Sequence, residues 1–154
     1  MSVEILVCPD CFAVNHIAKE LVSENPECAE CKAPLLPDIP IDADTLLFNR
    51  LIEHSTLPIV ADFWGAWADT SREMASVFVN LNRSFKGDAV FIKINSESEQ
   101  VLAGKLKICA IPTFILFKDA KEYRRLTGNQ LEVRFHAWLG RYLKVNRKSF
   151  ESAS

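Results

Sequence analysis

Between residues 42 and 145 the apolar positions change spacing from segment to segment, and the changes mark out elements. Leu46, Leu47, Leu51 and Ile52 follow acidic cap candidates and predict a helix over 42–54. Leu57 to Trp64 is a continuous apolar, β-branched run, the pattern of a strand buried on both faces. Met74, Val77, Phe78, Leu81 and Phe85 return to helical spacing over 69–86, and Ala89 to Asn95 is a second buried strand. Ser96-Glu97-Ser98-Glu99 reads as a capping box that opens a helix to about Lys107. Thr113 to Lys118 and Lys121 to Thr127 form two strands joined by a short turn at Asp119-Ala120. Leu131, Phe135, Trp138, Leu139 and Tyr142 mark one side of a last helix, from about Gln130 to Val145.

With Ile39 to Ile41 as a short first strand, the order is β, α, β, α, β, α, β, β, α. That order predicts the α/β class, a central sheet with helices on both faces. Residues before 40 follow different rules. They hold seven acids and two bases, against 13 acids and 16 bases in the remainder, so charge is divided −5 and +3. Four of the five cysteines lie there too, and Ala33 to Pro40, with prolines at 34, 37 and 40, reads as an extended connector. The expected organisation is a small Cys-rich module over 1–37, a larger domain over 38–148 and a C-terminal tail over 149–154.

The whole 154-residue chain is 49% apolar with a net charge of −2, which gives no general basic field for nucleic acid. Its apolar runs fall far short of the roughly 20 residues that span a bilayer, so no membrane partner is expected. The N-terminus lacks a basic start followed by an apolar stretch, and the expected location is the cytoplasm.

Cys8-Pro9-Asp10-Cys11 and Cys28-Ala29-Glu30-Cys31 are two C-x2-C pairs sixteen residues apart. That spacing suits a zinc ribbon, in which two tight turns aim four thiolates at one Zn²⁺. Iron is the alternative, since thiolates alone do not separate the two metals. Paired disulfides are disfavoured by a reducing compartment. A closed shell of four ligands leaves no open position for catalysis, so the ion is expected to be structural. His16 is expected to be an exposed ring, and His54 and His136 have no matching set of catalytic or ligand residues.

The segment Pro58-Ile59-Val60-Ala61-Asp62-Phe63-Trp64-Gly65-Ala66-Trp67 resembles the strand that leads into the active site of thioredoxins, V-D-F-W-A-x-W-C-G-P-C. The likeness continues through Phe91 to Asn95, Ile111-Pro112-Thr113 and Gly128, and covers residues 40 to 146. Cys11-Phe12-Ala13-Val14-Asn15-His16-Ile17 is similar to the C-x-x-x-N-R-I stretch of the zinc-ribbon thioredoxins, the second bacterial type. The resemblance implies a thioredoxin fold, a cis-proline at Pro112 and a peptide-binding groove at Trp67, Ile111, Pro112 and Gly128. It also implies a buried polar pair, Asp62 and Lys93, expected to survive as a satisfied contact.

The departure lies at the chemistry. Where the family has W-C-G-P-C, this chain has Trp67-Ala68-Asp69-Thr70-Ser71. Disulfide reduction needs a thiolate to attack and a second thiol to resolve the mixed disulfide, and Ala68 and Ser71 supply neither. Cys109 remains as a single thiol outside the metal set, expected to be half-buried. Ser76 stands where the family has a helix-kinking proline, so its helix is expected to run straight; Ala120 stands where a glycine is usual. The expectation is a redox-inactive, protein-binding or chaperone-like module with a structural zinc site, its partner a protein or extended peptide. The alternative is an oxidoreductase working through Cys109 or through zinc-ribbon cysteines released by oxidation. The basic run Arg141, Lys144, Arg147 and Lys148 is expected to be a solvated helix face, open to an acidic partner.

Overall fold

The computed structural model describes residues 2–143. The predicted helix end at Val145, the bases Lys144, Arg147 and Lys148 and the tail over 149–154 lie outside them.

The Cys-rich segment contains a hairpin that its short, mixed apolar runs did not reveal. Strands β1 (Val3–Val7) and β2 (Val14–Ala18) pair antiparallel, from Val3 opposite Ala18 to Val7 opposite Val14. A 3-10 turn follows at Lys19–Leu21. The larger sheet is built from β3 (Ile41–Asp42), β4 (Ile59–Trp64), β5 (Val90–Asn95), β6 (Thr113–Lys118) and β7 (Lys121–Thr127), in the order β3-β5-β4-β6-β7. The first three are parallel, and β6 and β7 run antiparallel. Helices α1 (Thr45–His54) and α3 (Gln100–Lys105) pack on one face, with α2 (Asp69–Ser84) and α4 (Glu132–Leu143) on the other.

Strand parity explains the two cores. Ile59, Ala61 and Phe63 of β4 point toward Leu47, Phe48 and Leu51 of α1, while Val60 points toward Phe78 of α2 and Phe135 of α4. Helix α2 runs unbroken through Ser76. Asp44 caps α1, its Oδ1 accepting from the Leu47 N–H at 2.9 Å. The expected capping box is not formed: α3 begins at Gln100 with no side-chain cap. Glu99 turns instead to α1, accepting from the Thr45 N–H and hydroxyl at 2.9 and 2.7 Å, and Asn95 Oδ1 takes the Glu97 N–H at 2.8 Å. A tertiary demand for a carboxylate at the start of α1 has overridden the local motif.

The Cys-rich segment is not hung on a free connector. Leu6, Val7, Leu35 and Leu36 belong to the same apolar cluster as Leu47, Leu51, Ile59 and Ile92. The Leu35 N–H donates to Pro26 O at 3.0 Å, and Asn82 donates to Pro37 O at 3.2 Å. Arg50 of α1 reaches across with Nε and Nη2 on Phe12 O at 3.2 and 3.0 Å.

In the β6–β7 turn, Asp119 and Ala120 both hold positive φ, at 53° and 65°. An alanine there carries about 1–2 kcal/mol of left-handed strain, of which glycine's greater chain entropy offsets about 0.5–1 kcal/mol. Ala120→Gly is therefore expected to stabilise the protein by roughly 0.5–1 kcal/mol, read as a higher urea midpoint at constant slope.

Candidate functional site

Two equivalent knuckles build the metal centre. In the first, Phe12 N–H donates to Cys8 O at 3.0 Å and Cys8 N–H to Ala13 O at 2.9 Å; in the second, Lys32 donates to Cys28 O at 2.9 Å and Cys28 to Ala33 O at 2.8 Å. Each turn is closed by a residue at positive φ, Phe12 at 68° and Lys32 at 70°. The geometry brings Cys8, Cys11, Cys28 and Cys31 together with all four sulfurs within 4.8 Å of one another. Cys8 lies 3.5 Å from Cys31, and Cys11 lies 3.6 Å from Cys28. A tetrahedron of thiolates with metal–sulfur bonds of about 2.3 Å has sulfur–sulfur edges of about 3.8 Å, so the set fits a single ion.

The surroundings treat the sulfurs unequally: burial raises the Cys8 thiol, and at Cys11 the lowering backbone contact with Ala13 is outweighed by desolvation and the neighbouring sulfurs, which lift it to about 12. Asp10 and Cys11 N–H groups approach Cys8 Sγ at 3.3 and 3.4 Å. The Cys31 backbone N–H, outweighing desolvation and helped by the Asn15 amide and the Glu30 N–H, lowers the Cys28 thiol to about 6. Buried Asn15 joins the two knuckles: its Nδ2 reaches Cys28 Sγ at 3.5 Å and its Oδ1 accepts from Ala29 N–H at 2.9 Å. The sequence noted Asn15 as part of a motif but gave no sign of this role. His16 is exposed, and the sulfur set does not include it.

The second region lies where β4 ends. Phe63 pairs with Thr113, and Thr113 with Thr127, so the loops carrying Trp67, Ile111-Pro112 and Gly128 share one end of the sheet. Trp67 is 64% exposed. The Ile111–Pro112 bond is cis, and Gly128, at φ 80°, donates its N–H to Pro112 O at 2.8 Å. Among the described residues no hydrogen bond reaches the peptide N–H or C=O of Ile111.

Ala68 occupies the N-cap position of α2 without a side-chain cap, and Ser71 is buried, its Oγ accepting from Gly65 N–H at 3.4 Å. Asp69 and Thr70 open the helix. Arg72 fastens the turn, donating to Ala66 O at 2.5 Å and pairing with Asp69; the sequence reading did not single it out. The loop thus offers hydroxyls, a carboxylate and a clamped guanidinium, and no sulfur.

Asp62 and Lys93 stand opposite each other on β4 and β5, but they do not form the satisfied contact expected of them. Both carboxylate oxygens of Asp62 are buried without a hydrogen-bond partner among the described residues. The Lys93 ammonium sits over the Trp64 ring instead, 5.0 Å from its centroid. Burial pushes the Asp62 carboxyl up to about 7, against the pull of the Lys93 charge. Cys109 is exposed rather than half-buried, its Sγ 3.5 Å from Lys107 O. A cleft of about 500 Å³ opens elsewhere, at the junction of the first knuckle and the sheet, lined by Pro9, Phe12, Leu47, Trp64 and Lys93.

Residues 39–141 match the thioredoxin family model. The chain belongs to the thioredoxin family. It is similar to Thioredoxin C-3 of Corynebacterium nephridii, 30% identical over 140 residues that cover 91% of this chain and 96% of that one. Chloroplastic Thioredoxin Y2 of Arabidopsis thaliana is 35% identical over 81 residues, 53% of this chain and 48% of the relative. Among solved structures, a mutant thioredoxin from Halobacterium salinarum aligns with TM-score 0.63 at 22% identity, covering 70% of this chain and 93% of that one. The last comparison speaks to fold alone, and it agrees with the mixed sheet described above. Within this thioredoxin-family frame, the cysteine cluster is a possible metal site compatible with a small zinc-binding module.

Proposed function

We propose that the chain is a redox-inactive thioredoxin-like module of the zinc-ribbon subtype, which binds an extended peptide or protein segment. The observation that carries this reading is the combination of Ala68 and Ser71 at the dithiol positions with an exposed Trp67, a cis Pro112 and an unpaired Ile111 backbone. The family's two-thiol exchange cannot run without sulfur at positions 68 and 71, whereas a free peptide edge beside a tryptophan still suits an added strand. Cys8, Cys11, Cys28 and Cys31 would hold one Zn²⁺ in a closed, structural shell, neutralising four converging thiolates and fixing both knuckles. On this reading the module lies in the cytoplasm, whose reducing conditions keep the four cysteines available to a metal; no helix among the described residues is long and apolar enough to cross a membrane.

The test is reduction of insulin disulfides by metal-loaded protein under dithiothreitol. The expected result is no acceleration by the natural protein and clear acceleration by the double variant Ala68→Cys, Ser71→Cys. Turnover by the natural protein would overturn the reading. The exposure of Cys109 favours one second reading, in which its thiolate attacks a partner's disulfide or oxidised glutathione, forms a mixed disulfide and releases the other sulfur as a thiolate, with dithiothreitol regenerating the free thiol. Cys109→Ser would abolish any such turnover, while the first reading expects the variant to behave as the parent.

A further inference from the structure

The hairpin end of the sheet carries a set of cations that form no ion pair among the described residues. Lys118 and Lys121 are directly paired across β6 and β7, a like-charge neighbour relation that costs stability unless an anion lies nearby. Arg124 follows on β7, where it donates to the Tyr142 hydroxyl, and exposed Arg141 is the neighbour of Tyr142 on α4. Among the described residues none of these four enters an ion pair, and the hairpin's Glu122 is taken by Arg125 at 2.6 Å. Asp119 in the turn is the one opposing charge within 118–125 outside that pair.

Two of the cations are held in place by aromatic rings. Lys118 Nζ lies 4.7 Å from the Tyr123 centroid, and the Arg124 guanidinium lies 4.4 Å from Tyr123 and 5.1 Å from Tyr142. Neutral oxygens fix them further: Lys118 donates to Tyr142 O at 3.3 Å, and Arg124 to Tyr142 Oη at 3.3 Å and Tyr123 O at 2.8 Å. Cations ordered beforehand lose little side-chain entropy when an anion arrives. We propose that the face formed by Lys118, Lys121, Arg124, Tyr142 and Arg141 is a docking surface for an acidic protein segment.

Charge complementarity selects an acid, and the details select a short peptide over nucleic acid. Single-stranded nucleic acids bind proteins largely by stacking their bases on open aromatic faces, and here Tyr123 and Tyr142 already carry cations. Four cations on a chain of net charge −2 also supply few phosphate contacts. Strand addition to β7 is disfavoured by its charged edge and by the register shift at Leu116/Phe117, so side chains, not backbone, make the contact. This surface is independent of the groove at Trp67.

The test measures binding of a short fluorescein-labelled oligoglutamate to the full, metal-loaded chain by anisotropy, at low and at physiological salt. Arg124→Glu and Arg141→Glu are each expected to weaken binding about tenfold. Lys105→Glu, an equal charge change at an exposed position of α3, is expected to change it less than about twofold. Circular dichroism with unchanged thermal midpoints establishes that all three variants are folded. Equal losses in all three variants would reduce the effect to net charge and overturn the proposal. So would absence of binding by the natural protein, or equal or tighter binding of a single-stranded oligothymidylate with the same variant dependence.

Discussion

Replacing Cys28 by serine, or stripping the metal with a strong chelator, is expected to unfold the first 37 residues and to lower the thermal midpoint of the entire chain by more than about 10 °C. The size follows from two features. Structural zinc contributes on the order of 10 kcal/mol in small ribbons at neutral pH, and a segment of this length buries too little on its own to replace it. Leu6, Val7, Cys8 and Cys28 also lie in one cluster with Leu47 and Leu51 of α1, so losing the ribbon exposes the helix face it covers. Zinc release read with a chelating dye should amount to one ion per chain. A Cys28→Ser protein that melts with the parent, or a parent that carries no metal, would remove the structural role.

Asp62→Asn is expected to stabilise the protein at pH 8 by roughly 2–4 kcal/mol and to leave it nearly unchanged at pH 4. The carboxyl moves from an ordinary 3.8 to about 7 on folding, driven by burial that Lys93 only partly offsets. The native state therefore binds a proton more tightly than the unfolded chain. Parental stability is greatest below about pH 4 as far as this group is concerned, falls as pH rises through about 7, and levels off above. The neutral amide should erase that slope. Urea midpoints across pH 4 to 8 give the comparison; an equal gain at both ends would show that charge is not the cause, and a loss at pH 8 would mean that Asp62 is partnered.

The sheet order and helix faces were legible because β4, β5 and β6 are runs of apolar residues buried on both sides, interrupted by helices of clear periodicity. The four sulfurs were legible from spacing alone, since two C-x2-C turns leave little freedom in where they point. What escaped the sequence is long-range. Glu99 sits in a good local capping motif yet serves α1, more than fifty residues earlier in the chain. Asp62 and Lys93 face each other across β4 and β5, but the Trp64 face takes the ammonium and leaves the carboxylate without a hydrogen bond among the described residues, a competition the two letters do not reveal. Asn15, Arg50 and Arg72 are ordinary polar letters whose work lies in the carbonyls, thiols and turns they reach. The ribbon hairpin escaped because its strands, five residues each, rest on a neighbour's core and carry a weak alternation of their own.

The shared apolar cluster also orders events during synthesis. Translation completes all four thiols at Cys31 before Thr45, the first residue of α1, is added. An ion captured at that stage presents α1, as it leaves the ribosome, with a preformed apolar platform and the Phe12 carbonyl for Arg50 to grip. If the ribbon binds its ion during translation, a shortage of metal would leave the apolar side of α1 uncovered for longer, and a lower yield of folded chain in metal-depleted cells is the expected outcome.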